Sequence, residues 1–303
     1  GMKLSITNKS QIKTDIAGYC FVSLVVIGVV VFTFIPAIQS LVYSFFNYDG
    51  FLKMEFAGFD NFLYMFQQDY EIGKVFANTF IYAAITVPLG LLLGYALALL
   101  ANSKVPGISV FRVLFYLPVI IPAVAAGVLW KDIFSPAYGI FNQIIGVFGL
   151  HSMFFESAKS ALPTLILTTV WSTGGSMVVW LASFKNIPQG LYEAARLDGA
   201  SRFKQLLFIT IPMSTPMIFY NLVTGIIGSL QCFNTFIIAS GSGGTGPDNS
   251  LYFIAVKIYN EAFTRIGMMG YACALGWVLF IVTFALTMFV FKTGGWVQYA
   301  EDM

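Results

Sequence analysis

Six long apolar stretches dominate the chain, at about residues 16–42, 76–101, 113–130, 161–183, 212–239 and 269–291. Each approaches or exceeds the ~20 predominantly apolar residues that a helix needs to cross a bilayer. None of the six contains Lys, Arg, Asp or Glu. A charge at the bilayer centre costs at least about 2.5–3.5 kcal/mol on insertion scales, so their complete absence marks lipid-embedded segments. The pattern predicts an all-α integral membrane protein with about six transmembrane helices, a single transmembrane domain over residues 1–303. The first stretch exceeds a signal-peptide core and no small-residue cleavage site follows it, so it reads as a retained helix.

Composition agrees. Hydrophobic residues make up 58% of the chain and charged residues 10%, and the mean hydropathy is +0.80. A soluble domain is roughly 45–50% apolar and about 25% charged, so a soluble fold would leave large apolar patches bare. The charges that remain set the orientation. With a cytoplasmic N-terminus the inside segments hold Lys3, Lys9, Lys13, Lys104, Arg112, Lys185, Arg196, Arg202, Lys204 and Lys292. The outside loops then hold only Lys53, Lys74, Lys131, Lys159, Lys257 and Arg265, and the positive-inside bias places both termini in the cytoplasm. Phe45, Phe46, Tyr48, Trp130, Trp296 and Tyr299 fall near span ends, where an interfacial belt explains them. Cys20, Cys232 and Cys273 lie in apolar runs without metal-site or disulfide spacing and read as packing residues.

The intervals between spans are unequal. Outside loops cover about 43–75, 131–160 and 240–268, the last opening on the turn-rich stretch from Ser240 to Asp248. The inside interval 184–211 stands apart because its pattern is structured. Pro188 suits the first turn of a helix and Gly199 the position just past its end. Ser201 suits the cap of a second helix running to Phe208, ahead of Pro212. A helix of about three turns is not stable alone and must dock on something. Ala194 and Ala195 let it approach closely, while Glu193 and Asp198 offer charges to a basic partner. An interfacial helix without a partner is the competing reading of the residues alone.

The run Tyr192-Glu193-Ala194-Ala195-Arg196-Leu197-Asp198-Gly199-Ala200, with Phe208-Ile209 and Pro212 beyond it, resembles the signature "EAA" loop of binding-protein-dependent ABC importer permeases. Its YEAA-x-x-DGA form is that of sugar permeases, closest to the first-permease branch related to the maltose permease. Asn78-Thr79, Arg112 to Pro118, Trp130, Gly139 to Asn142, Gly243-Gly244, Tyr259, Phe263, Gly270 and Tyr271 extend the resemblance along nearly the whole chain. One departure is Gly241–Pro247, where the family has a plain Gly-Gly-Pro. The resemblance implies a type I ABC importer permease fold in a bacterial plasma (inner) membrane, with the loop inserting a coupling helix into a cytoplasmic ATPase. It assigns Glu193 to ATPase contact, Ala194 and Ala195 to close docking, and Gly199 to the sharp turn, with Tyr192, Asp198 and Ala200 completing the motif. It also implies a second permease in a heterodimer, two ATPase subunits that use ATP and Mg, and an extracytoplasmic solute-binding protein. No G-x-x-x-x-G-K-[ST] phosphate loop occurs, so this chain is not expected to hydrolyse ATP alone, and with the resemblance it is expected to be a non-catalytic transport subunit that binds no cofactor of its own. No nucleic-acid partner is expected.

A sugar needs hydrogen-bonding groups rather than charges. Span five carries Asn221, Thr224, Gly225, Gly228, Ser229, Gln231, Cys232, Asn234 and Thr235. Of these, Gly228, Gln231, Cys232 and Thr235 follow i, i+3, i+4, i+7 and are expected to share one face lining the path. Span four offers a second face with Trp171, Ser172, Gly175 and Ser176. Small and polar residues also serve helix packing in membranes, which competes with both assignments. Three other functions are weighed. An ion-coupled secondary transporter would carry ionisable residues in its spans, and a membrane-embedded enzyme would cluster His, Asp, Glu or Cys there; neither pattern occurs. A permease for an anionic solute such as a polyol phosphate would favour a basic cavity, which the charge-free spans do not supply.

Overall fold

The computed structural model describes residues 9–103 and 105–297; Lys3, Lys104 and Tyr299 lie outside them. The first apolar run forms one rod, α1 (Lys9–Val29), a π-helical turn Val30–Phe34 and α2 (Ile35–Tyr43). Its side chains from Ile16 onward are almost all exposed, Phe21 and Phe32 to about four-fifths, so lipid or another chain must cover them. A short hairpin follows, β1 (Phe46–Tyr48) antiparallel to β2 (Met54–Phe56), with Phe46 opposite Phe56. Asp49 closes its turn by accepting from the backbone N–H groups of Phe51, Leu52 and Lys53 at 2.8, 3.1 and 3.2 Å. Next come α3 (Asp60–Gln67) and the 30-residue α4 (Ile72–Ala101).

The third apolar run, expected as one span over 113–130, is two helices: α5 (Ile108–Ile120) and α6 (Ala123–Ile133), bent by 98°. Ile121 precedes Pro122, and the proline ring drives the residue before it out of the helical region. Ile121 accordingly sits at φ −72°, ψ 126° and the helix ends. After α7 (Ile140–Gly146), the fourth run is likewise divided into α8 (Ala161–Trp171) and α9 (Gly174–Lys185), bent by 44° around Ser172 and Thr173. The next interval holds α10 (Gln189–Leu197), α11 (Arg202–Gln205), a π-helical turn Leu206–Thr210 and α12 (Ile211–Met213). Then α13 (Thr215–Leu230), α14 (Thr235–Ile238), α15 (Ile254–Tyr259), a π-helical turn Asn260–Thr264 and α16 (Met269–Lys292) complete the chain. Among the described residues four helices are long and apolar enough to cross a bilayer, and six cross if each bent pair counts as one span.

Helix α4 is the axis of the fold, packed against α8, α9 and α13. Apolar clusters fix its ends. At the C-terminal end Ala98 and Ala101 bury against Met177, Trp180, Phe184 and Ile187, with Tyr95, Tyr192, Ile209 and Met213 around them. At the other end Val75 packs with Leu230, Tyr252, Ile254 and Val256, while Ile72 meets Met65, Tyr271 and Leu275 of α3 and α16.

Candidate functional site

The loop over 184–211 forms its first helix where the sequence predicts it, while the second, expected to run to Phe208, stops at Gln205 and passes into the π-helical turn Leu206–Thr210. Pro188 stands immediately before the first residue of α10, and the helix closes at Gly199 with φ +75°. The Gly199 N–H donates to Arg196 C=O at 3.1 Å and the Ala200 N–H to Ala195 C=O at 2.8 Å, the paired bonds of a Schellman end. A methyl at Gly199 would meet nothing within 4 Å, so the left-handed backbone alone demands glycine. Ser201 caps α11 by accepting from the Lys204 N–H at 3.3 Å. On one side α10 is anchored: the Tyr192 hydroxyl bonds Thr210 Oγ1 at 2.9 Å and Gln205 Nε2 donates to Ala200 C=O at 2.9 Å. On the other side Glu193, Ala194, Asp198 and Gly199 are exposed. Leu197, between Arg196 and Asp198, is 90% exposed and Phe208 76%, so the loop presents apolar and charged side chains that nothing among the described residues covers.

Between α4, the α8–α9 pair and α13 lies a cleft of 320 Å³, lined by Thr86 and Gly90, by Thr169, Ser172, Thr173, Ser176 and Trp180, and by Asn221, Thr224 and Ser229. Such a volume is that of a small-molecule site. Its hydroxyls donate to carbonyls one helical turn back, as Thr86 does to Tyr82 at 2.7 Å, Ser176 to Thr173 at 2.9 Å and Thr224 to Tyr220 at 2.8 Å. A hydroxyl that donates into its own helix keeps lone pairs free to accept. The Asn221 amide donates to Met217 C=O at 2.8 Å. Trp180, 1% exposed, also lines it, and its indole N–H, buried against Gly94 of α4, has no partner among the described residues. A second cleft of 350 Å³ shares Thr169 and Ser172 with the first and adds Tyr82, Trp130, Trp171, Gly175 and Asn234. No Lys, Arg, Asp or Glu lines either. The break between α8 and α9 sits where the two clefts meet.

At the opposite end of α4 from the loop, charge is concentrated and buried. Lys257 Nζ lies 2.9 Å from Asp69 Oδ2, 2.9 Å from Glu71 Oε2 and 3.1 Å from Glu261 Oε1. Arg265 adds contacts of 3.0 Å to Glu261 and 3.5 Å to Glu71, and Tyr271 donates its hydroxyl to Asp69. Burial opposes the charge on Lys257, but hydrogen bonds to Asp69 and Glu71 carry it above the ordinary ammonium value. Burial also opposes ionisation of Asp69, yet the bonds from Tyr271 and Lys257 hold it below the ordinary carboxylate value. Nearby, Asn78 Nδ2 donates to the carbonyls of Asn249 and Tyr252 at 2.8 and 3.2 Å, and Thr79 Oγ1 accepts from the Ile254 N–H at 3.1 Å. These bonds hang the segment 247–265 from the start of α4.

Residues 86–295 match the profile of the binding-protein-dependent transport system inner membrane component family. The chain belongs to that family. The permease is 38% identical over 297 residues to the probable ABC transporter permease protein YesP of Bacillus subtilis (strain 168), covering 96% of this chain and 95% of that protein. It is 32% identical over 285 residues to the diacetylchitobiose uptake system permease protein NgcF of Streptomyces coelicolor (strain ATCC BAA-471 / A3(2) / M145), covering 88% and 80% of the two. Its backbone superposes with a TM-score of 0.80, at 24% identity, on a chain of the bacterial alginate ABC transporter crystallised with an alginate pentasaccharide-bound periplasmic protein, covering 93% and 94% of the two chains. The fold is therefore that of an ABC importer permease, and family membership sets aside a secondary transporter acting alone.

Within the permease the expected path residues separate. Ser172 and Ser176 line the first cleft and Ser172 and Gly175 the second. The shared face of Gly228, Gln231, Cys232 and Thr235 does not form, because α13 ends at Leu230 and Gln231 leaves the helical region at φ −100°, ψ 19°. Gly228 and Gln231 are exposed, while Cys232 and Thr235 are buried; none of the four lines either cleft. The face that does form lies one turn earlier, at Asn221, Thr224, Gly225 and Ser229. Its i, i+3, i+4, i+8 spacing was present in the sequence. Thr86, Thr169 and Trp180 carried no such signal, since single polar residues in apolar spans also serve packing.

Proposed function

We propose that this permease carries a neutral sugar or oligosaccharide inward across the bacterial plasma membrane, through the cleft between α4, α8–α9 and α13. It pairs with a second permease and with two ATPase subunits that supply ATP and Mg chemistry, and an extracytoplasmic binding protein delivers the solute. Both termini face the cytoplasm. The observation that carries the reading is the cleft itself, rich in acceptor oxygens, bordered by the Asn221 amide and free of charge. A polyhydroxyl solute offers both donors and acceptors to such a wall, whereas a phosphate or uronate would meet no cation there. Sugar import is supported by the diacetylchitobiose system named for NgcF. The test is ATPase stimulation of the reconstituted complex, with its binding protein, by a panel of neutral disaccharides, uronate oligomers and polyol phosphates. Stimulation by a neutral saccharide, cut about tenfold by Asn221→Leu through the loss of one or two hydrogen bonds, supports the reading. Stimulation by anionic solutes alone overturns it.

The loop over 184–211 is the coupling element of the same proposal. Tyr192 anchors α10 to the permease, while Glu193, Ala194, Ala195, Asp198, Gly199 and Ala200 form the part that enters the ATPase. Glu193 is exposed and no ion pair holds it within the described residues. Glu193→Lys should leave the permease folded and copurifying with its partner permease, while ATP-driven uptake falls at least about tenfold from one reversed charge at the contact. Uptake at the parent rate removes Glu193 from the contact.

A further inference from the structure

Two hydrogen-bond paths converge on Thr210, the last residue of the π-helical turn that joins the coupling loop to the membrane helices. From the loop side, the Tyr192 hydroxyl of α10 lies 2.9 Å from Thr210 Oγ1, which itself reaches Gln205 C=O at 3.4 Å. From the membrane side, Ser214 Oγ donates to Thr210 C=O at 2.7 Å. A serine hydroxyl has a single proton. With that proton on the backbone, the 3.0 Å contact between Tyr95 and Ser214 is donated by Tyr95 of α4. Ser214 is fully buried and Thr210 is 8% exposed, so these bonds are sheltered from competing water. The Tyr95 ring meets Trp180 edge-on, with centroids 5.0 Å apart and planes at 80°, and Phe184 at 5.2 Å and 83°. Trp180 is one of the residues that line the polar cleft.

A side chain of the coupling helix is thus joined to the wall of the cleft by four consecutive contacts, with a π turn at their centre. Turns of this kind interrupt helices most often where function requires it. We infer that Tyr95 and Ser214 are positioning residues that transmit movement of the coupling helix, through the π turn ending at Thr210, to Trp180 and so to the shape of the solute cleft. Tyr95 lines neither polar cleft and lies outside the 184–211 loop, so its hydroxyl acts through other groups rather than on solute or ATPase. The inference rests on the proposed function, in which the loop meets an ATPase and the cleft carries solute.

The test follows the cleft directly and needs no identified solute. In the intact transporter, with the three native cysteines replaced by alanine, Thr224→Cys places a reporter on the cleft wall. Its rate of labelling by N-ethylmaleimide is measured without nucleotide and after trapping with ATP, Mg and vanadate. The parent should change its rate about tenfold on trapping. Tyr95→Phe, which keeps the ring and its edge contact with Trp180, should reduce that change about threefold to tenfold, the range of measured coupling effects, with ATP hydrolysis and thermal stability of the complex unaltered. Ser214→Ala should do the same, and the double variant no more than either alone, because both remove one path. A parent response that survives undiminished in Tyr95→Phe, or effects that simply add, overturns the relay while leaving the transport reading intact. A parent that shows no response to trapping overturns the transport reading and the relay with it.

Discussion

Lys257→Met should destabilise the permease by about 3–5 kcal/mol, the cost of leaving buried charge uncompensated when one partner of an ion pair is removed. Asp69, Glu71 and Glu261 all converge on its ammonium within 3.1 Å, and the side chain is fully buried. Without it, Asp69 keeps the Tyr271 hydroxyl and the Glu71 backbone N–H but no cation, and Arg265 alone faces the two glutamates. Melting of the purified chain in detergent should fall by roughly 10 °C on the usual conversion. Adding Glu261→Gln to Lys257→Met should recover part of the loss, since Glu261 Oε2 has no partner even in the parent. A lysine held merely by packing would give the opposite pattern, a small loss in the single variant and a larger one in the double.

The same cluster fixes a pH window. Asp69 is held below its ordinary value, so its contribution is complete above about pH 4 and is lost as pH falls through the folded value. Lys257 is held above its ordinary value, so its contribution is complete below about pH 10 and is lost as pH rises through the folded value. The brace therefore holds across the whole neutral range, and acid below about pH 4 is what releases it. In Lys257→Met the acid side should invert, because protonating the orphaned carboxylates then removes the penalty.

The sequence made some of this legible and hid the rest for physical reasons. Local signals carried local structure: Pro188 and Gly199 bound the first helix of the 184–211 loop and Ser201 starts the second, because caps act on the turn that contains them. Hydropathy carried the membrane-embedded runs but not their internal breaks. At Ile121-Pro122 the cause was visible, yet proline also occurs inside α4 at Pro88 without ending it. At Gln231 small and apolar residues continue across the interruption, so a face assigned by helical spacing ran past the end of its helix. The brace was not legible at all. Asp69 and Glu71 find Lys257 and Glu261 nearly two hundred positions away, and only the packing of α15 and α16 near the start of α4 brings them together. The polar cleft lies between these cases. Its polar wall residues are ordinary Ser, Thr and Asn of apolar helices, and their meaning comes from α4, the α8–α9 pair and α13 presenting them to one space.

Gly174→Ala should cost about 3 kcal/mol, at the upper end of the penalty for overfilling a packed interior. The glycine is the first residue of α9, and a methyl there would fall inside the van der Waals shell of the Phe115 carbonyl of α5. A clash with the tip of a side chain is relieved by a rotamer change, but the obstacle here is backbone within a helix. Relief therefore requires α5 and α9 to part. Gly199→Ala is the natural contrast: its methyl has open space, and the cost is the left-handed backbone alone, about 1–2 kcal/mol. The two variants should separate by readout as well as by size. Parting α5 from α9 moves Ser172, Thr173 and Gly175, which lie between the two clefts, so Gly174→Ala should impair uptake even where the complex assembles at low temperature. Gly199→Ala leaves the clefts untouched and should show its defect in coupling, as a lower ratio of uptake to ATP hydrolysed. Equal melting temperatures for Gly174→Ala and the parent would mean that α5 and α9 do not cross as closely as the fold places them.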